Sequence, residues 1–310
     1  MGLPAESELI ALVTDGLAAG SQVVVGPGDD CAVLRLRGDL AVSTDSMVEG
    51  VHFRRDWSSA TDVGRKAVAS GVADLEADGA RPVAIVVALT LPQDLDPAWV
   101  RDLRVGVDVE CDRAGVRLVG GDVARGPVVV VTITALGELD GRPAVTRAGA
   151  RPGQVVAARG RLGMAQAGLA ALTRGFRSPA AVVNAHRVPE VPYGQGVVAA
   201  KAGATAMVDV SDGLVADLAH VAAASGVAID IDSATLPISE PQQTVAAALG
   251  RGDAVAFVLS GGDDHALVAT FDPRRVPDGW LVIGAVRAGQ GVTVDGAVWD
   301  GPSGWDHFAR

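Results

Sequence analysis

Leu40-Ala41-Val42-Ser43-Thr44-Asp45-Ser46-Met47-Val48-Glu49-Gly50-Val51-His52-Phe53 is the stretch from which the rest of the chain can be read. Its start, Leu40-Ala41-Val42, alternates as a buried strand does. Ser43, Thr44 and Asp45 then emerge together where that strand is expected to end. A strand end is rigid, so hard oxygen donors placed there can be held in fixed positions for a cation or a phosphate. A polar turn capped by Asp45 or Ser46 would have the same composition. The neighbouring sequence decides between the two.

Working outward, acids recur at what read as strand ends. On the N-terminal side Val23-Val24-Val25 leads into Gly26-Pro27-Gly28-Asp29-Asp30, a glycine turn beside two carboxylates. On the C-terminal side Thr61 or Asp62 is positioned to cap a helix over about 62–78, ended by Gly79 and Pro82. Lys66, Ser70 and Asp74 share one face of that helix among apolar neighbours, where a buried charge needs partners. A strand over Val83–Leu91 and a helix from Pro97 to about Ala114, capped by Asp96, follow. The strand Val116–Val119 then runs into a Gly120-Gly121-Asp122 turn with Arg125 beside it.

The second half repeats the pattern. Ala206-Met207-Val208-Asp209-Val210 reads as a strand, and Ser211-Asp212-Gly213 opens a helix to about Ser225. Capping explains Ser211 or Asp212 but leaves Asp209, inside an apolar strand, without a reason. The apolar run Ala254–Leu259 is expected to end, as another strand, in Ser260-Gly261-Gly262-Asp263-Asp264-His265. An Asp295-Gly296 hairpin closes the chain's last sheet, and the tail carries Trp305 and Phe308.

Two carboxylates 4 Å apart repel by about 1 kcal/mol in water and about 4 kcal/mol at an effective dielectric near 20. Acids that converge need counter-charge, and all-oxygen ligands favour Mg2+ over zinc. Magnesium on acids, glycine-rich backbone and a few cations make a phosphoryl-transfer set. No G-x-x-x-x-G-K-[ST], strand-to-helix G-x-G-x-x-G, H-E-x-x-H or G-x-S-x-G is present, so the common nucleotide and hydrolase frameworks are excluded.

Composition agrees. The 310 residues, 49% hydrophobic, suffice for two α/β-sized domains, with a boundary near 140–152. A net charge of −11 argues against a nucleic-acid backbone as partner. Cys31 and Cys111 lie at no metal or redox spacing. The apolar stretches 83–91 and 127–137 are too short for a membrane span, and the N-terminus shows no signal-peptide pattern, so a cytoplasmic protein is expected.

Taken in order, Gly26–Ala32, Ser43–Phe53, Lys66–Pro82, Gly120–Pro127, Asp209–Asp217, Ser260–His265 and Trp305–Phe308 resemble one family, the thiamine-monophosphate kinases. These belong to the aminoimidazole ribonucleotide synthetase-like ATP-binding superfamily. The resemblance implies an α/β (α+β) protein with mixed sheets flanked by helices. Residues 1–145 would be an N-terminal ATP/Mg-binding and dimerisation domain, and 146–310 a C-terminal α/β domain completing the active site. It implies ATP as co-substrate, thiamine monophosphate as acceptor, several Mg2+ ions and a homodimer. By position, Asp30, Ser43, Thr44, Asp45, Asp74, Asp122, Asp209 and Asp212 look like magnesium ligands. Gly121, Asp122, Arg147 and Ser211 look like ATP contacts, and His52, Asp263 and Trp305 like contacts to thiamine phosphate.

Two departures stand out. The family's usual Glu-Asp-Tyr-Glu is here Asp263-Asp264-His265-Ala266, and Val123-Ala124 replace two threonines after Asp122. Rival readings are another enzyme of the superfamily, such as a selenophosphate synthetase, or a non-catalytic acidic module that binds metal or nucleotide. Cys31 does not sit where a selenophosphate synthetase would need its reactive residue.

Overall fold

The computed structural model describes residues 6–17, 20–27, 31–250, 254–302 and 304–305. The chain divides into two compact units. One comprises Met1–Leu75 with Ala80–Pro143, the other Glu76–Gly79 with Ala144–Arg310.

The first unit runs α1 (Glu6–Thr14), β1 (Val23–Val25), β2 (Val33–Leu34), β3 (Leu40–Val48), α2 (Ala60–Ala77), β4 (Arg81–Leu91), α3 (Pro97–Ala114), β5 (Arg117–Arg125) and β6 (Val130–Glu138). Its main sheet is ordered β3-β6-β4-β5, with β4 and β5 parallel and the other neighbours antiparallel. The parallel pair needs a crossover, and α3 supplies it. Asp96 caps α3 by accepting from the Ala98 N–H at 2.9 Å, Pro97 follows, and Gly115 ends the helix in the left-handed region. The cap of α2 is Ser59 and not Thr61 or Asp62. Ser59 Oγ accepts from the Asp62 N–H at 3.1 Å, and the Asp62 carboxylate accepts from the Ser59 N–H at 3.0 Å. Helix α2 buries Val63, Val68 and Val72, and Gly71 lets it lie against Ile133 of β6.

Two expected strand ends prove to be strand interiors. Strand β3 pairs with β6 without a break from Leu40↔Glu138 to Val48↔Val130, so Ser43, Thr44 and Asp45 lie mid-strand. The Gly120-Gly121-Asp122 turn is likewise inside β5, paired with β4 from Val86↔Gly120 to Leu91↔Arg125. Polar side chains are tolerated in both because β3 and β5 are the edges of the sheet.

The second unit contains β7 (Val155–Arg159), α4 (Met164–Thr173), α5 (Ala180–Arg187), α6 (Gln195–Ala202), β8 (Ala206–Asp209), α7 (Leu214–Ser225), β9 (Ala228–Ile231), α8 (Glu240–Ala248), α9 (Val255–Ser260), β10 (Leu267–Phe271), β11 (Leu281–Arg287), β12 (Gly291–Val294) and β13 (Ala297–Val298). These strands form one mixed sheet in the order β13-β12-β9-β11-β7-β10-β8. Ala254–Leu259, expected as a strand, is mostly the short helix α9, with Phe257, Val258 and Leu259 buried. A fully buried apolar run this short has no period that separates strand from helix. The two-residue Asp295-Gly296 turn joins β12 to β13 with φ of 53° and 78°. One polar tie comes from the end of α2. The buried Glu76 carboxylate accepts from the Gly194 N–H at 2.7 Å and the Gly196 N–H at 2.9 Å, at the start of α6.

Candidate active site

Strand alternation distributes the oxygen donors of the first unit over two faces of its sheet. Asp45 lies in the row of Ile133, Val87 and Gly121, on the face that α2 covers. Ser43 shares that face, and its hydroxyl donates to Asp74 Oδ2 of α2. Thr44 points the other way, its hydroxyl 3.3 Å from that of Thr134. Ser43, Thr44 and Asp45 therefore do not emerge together, because neighbours in a continuous strand cannot. Asp122 falls in the row of Ala88, Thr132 and Ser46, on the same face as Thr44. Asp45 and Asp122 are also at opposite edges, three inter-strand spacings or about 14 Å of sheet apart. Gly121 is glycine for a packing reason, since a Cβ there would lie 2.1 Å from the Val87 carbonyl oxygen. Asp30 lies outside the described residues.

His52 sits in the turn after β3. Its Nδ1 accepts from the Val48 N–H at 3.0 Å, which puts the proton of the neutral ring on Nε2. Its carbonyl accepts from Nζ of Lys66, a lysine only 2% exposed, at 3.3 Å. The buried cation on α2 thus fixes the main chain of the candidate substrate contact.

In the second unit the predicted residues do come together. Strand β8 ends at Asp209, and Val210-Ser211-Asp212-Gly213 turns into α7. The Gly-Gly-Asp-Asp-His segment is hydrogen-bonded along this turn. The Asp263 N–H donates to the Ser211 carbonyl and the His265 N–H to the Val210 carbonyl, each at 2.8 Å. A Cβ at Gly262 would lie 2.2 Å from the Ser211 oxygen, so glycine allows the approach. The tail returns to the same place, with the Trp305 N–H donating to the Asp212 carbonyl at 2.9 Å. Trp305 is 54% exposed. Arg147, exposed, has its carbonyl bonded by the Ser225 hydroxyl at 3.1 Å and lies near Asp78.

Three further residues stand around this segment, of which the sequence marked only Asp264, as part of its Gly-Gly-Asp-Asp motif, and not Asp217 or His186. Asp217, buried, accepts from the N–H groups of Ser211, Asp212 and Gly213 at 3.0–3.1 Å. Burial, reinforced by Asp209, raises its pKa to about 7. Asp264 accepts from the N–H groups of Gly163 and Ala165, and burial raises its pKa to about 7 as well. His186 of α5 has Nδ1 3.9 Å from Asp263 Oδ2. Asp217, eight residues after Asp209, and Asp264, next to Asp263, were visible in the sequence; that they would turn inward was not.

Among the described residues no group of three or more His, Cys, Asp or Glu is gathered as a ready-made metal cage. The donors present are hard oxygens, and Asp209 and Asp212 stand three residues apart at the end of β8 and in the turn that follows it. Both features suit Mg2+, which keeps several waters and takes one or two protein carboxylates with substrate phosphates.

Two family models span most of the chain. Residues 28–139 match the N-terminal domain of AIR synthase related protein, and residues 151–296 match its C-terminal domain. Fold and site therefore define an AIR synthase related protein. The thiamine-monophosphate kinase of Mycobacterium tuberculosis (strain ATCC 25618 / H37Rv) is 46% identical over 307 residues, 98% of this chain and 92% of that protein. The crystal structure of thiamine-monophosphate kinase from Stenotrophomonas maltophilia K279a superimposes with a TM-score of 0.81 at 33% identity, over 94% of this chain and 96% of that one. The complex of AaThiL with AMPPCP and TMP gives a TM-score of 0.80 at 34% identity over 87% of each chain. The chain belongs to the thiamine-monophosphate kinase family.

Proposed function

We propose that this chain transfers the γ-phosphate of ATP to the phosphate of thiamine monophosphate, giving thiamine diphosphate and ADP. The observation that carries this is the 46% identity to a named thiamine-monophosphate kinase over 98% of the chain. An acceptor phosphate oxygen forms the new bond to the γ-phosphorus as the bond to the β–γ bridging oxygen breaks. The nucleophile is already an anion, so no protein base is needed. The protein's task is to align two phosphates and offset their charge.

Asp30, Ser43, Asp45, Asp74, Asp122, Asp209 and Asp212 are the side chains that would hold magnesium. Thr44, on the sheet face that also carries Asp122, is the eighth member of that set. Magnesium, when bound, neutralises phosphate charge and orients the oxygens. Gly121, Asp122, Arg147 and Ser211 serve ATP. His52 offers Nε2–H to the acceptor phosphate, Asp263 lies along the Ser211 turn, and Trp305 presents an indole that can stack on an aromatic ring. The same reading makes the enzyme a cytoplasmic homodimer. Among the described residues no helix is long and apolar enough to cross a membrane.

Purified protein given Mg-ATP and thiamine monophosphate should form ADP and thiamine diphosphate in equal amounts. Bound ATP that is never consumed in the presence of the acceptor would instead identify a non-catalytic binding module.

A further inference from the structure

His265 is the position where the family's usual tyrosine is replaced, and its surroundings give the imidazole a task. The ring is buried, 7% exposed. Nδ1 lies 3.0 Å from Asp209 Oδ2, and Nε2 lies 3.8 Å from Asp263 Oδ1. Asp263 in turn has its other oxygen 3.9 Å from His186 Nδ1. A line of alternating imidazoles and carboxylates thus runs from α5 to the end of β8. Backbone conformation supports it. Asp263 and His265 are non-glycine residues with φ of 69° and 52°, in the left-handed region that L side chains rarely adopt. The main-chain bonds of both residues to the Ser211 and Val210 carbonyls hold that conformation and direct the two side chains toward Asp209 and one another.

We propose that His265 is a positioning residue for Asp209. Its Nδ1–H fixes Oδ2 and so presents the other carboxylate oxygen in one orientation to a divalent cation, while Asp263 steadies the far side of the ring. The inference rests on the reading of Asp209 as a magnesium ligand. An ionised Asp209 can only accept, so the proton between the two groups belongs to Nδ1. A carboxylate free to rotate about its terminal torsion would have to be ordered when the cation binds. Outer partners that remove this freedom typically account for 10–100-fold in metal affinity.

The test measures Mn2+ binding to the nucleotide-free protein, alongside kinetics with Mg-ATP. Asp209→Asn establishes the ligand, His265→Phe keeps a ring without its donor, and His265→Asn returns an N–H near the position of Nδ1. The expected result is weaker Mn2+ binding in Asp209→Asn, about tenfold weaker binding in His265→Phe, and recovery to within about threefold of wild type in His265→Asn. The kinetic loss should fall on the magnesium concentration needed for half-maximal rate more than on kcat. If Asp209→Asn loses Mn2+ while His265→Phe binds it normally, the positioning role is overturned and the ligand reading stands. If Asp209→Asn binds Mn2+ normally, both are overturned. Nitrogen-15 spectra of the histidine-labelled wild-type protein give an answer that requires no folded variant. Nδ1 of His265 should be protonated and should shift when Mg2+ is added; an unprotonated Nδ1 overturns the proposal.

Discussion

A carboxyl group shut away from water must find its compensation in the backbone, and Asp264 does so with two N–H groups at the start of α4. Burial outweighs those bonds and raises its pKa to about 7. A carboxyl whose folded pKa is raised binds more protons in the folded state than in the unfolded one between the two values. Its contribution to stability is therefore complete below about pH 4 and is lost as pH rises to about 7. The shift corresponds to at most about 4 kcal/mol. Asp264→Asn should remove this dependence, so that its stability deficit against wild type is largest near pH 4.5 and smaller at pH 7.5 in urea unfolding. A deficit independent of pH would show that Asp264 is ionised throughout. Asp212 and Asp263 could be recognised in sequence because each adjoins glycine, and Asp209 because it interrupts an apolar strand. Asp264 sits in the same motif as Asp263, yet its inward direction depends on a left-handed backbone at Asp263 and His265 that residue identity did not announce.

At the scale of elements, the first unit's sheet shows what alternation can and cannot reveal. The existence of β3, β4, β6, α2 and α3 follows from apolar runs and caps. The extent of β3 and β5 does not, because a strand at a sheet edge can carry Ser43, Thr44, Asp45 and Asp122 without losing its pairing. The consequence was an error of direction: donors assigned to one cluster lie on two faces. Helix α9 departs from the strand expected there for the opposite reason, since burial on all sides erases any period. The two adjacent glycines of β5 separate packing from conformational freedom. A Cβ at Gly121 would meet the Val87 oxygen at 2.1 Å, whereas one at Gly120 meets nothing within 4 Å. Gly121→Ala should lower stability by about 1–3 kcal/mol, and Gly120→Ala should stay within about 0.5 kcal/mol of wild type, read from denaturant midpoints. Equal effects at the two positions would remove the packing explanation for Gly121.

For the whole molecule, composition and motif order indicated two α/β units and an anionic small-molecule enzyme. What no linear reading could indicate is that the last turn of α2 and the residues after it, Glu76–Gly79, are counted with the second unit. A helix that looks like one element in sequence thus serves two units. Glu76 is the polar part of that arrangement, with its carboxyl buried and its pKa raised by burial despite the bonds from Gly194 and Gly196. Glu76→Ala leaves those two N–H groups unmatched and should cost about 1–3 kcal/mol. Calorimetry of the full chain would register it, and an unchanged unfolding temperature would mean that water replaces the carboxylate at no cost.

The same four residues bear on how such a gene can be divided. The second unit is discontinuous in the message, and a polypeptide starting at residue 144 would lack both Glu76 and the buried Ala77. Two separately encoded halves would work best if residues 76–79 were duplicated ahead of the second, an arrangement that no cut at a single point in the reading frame provides.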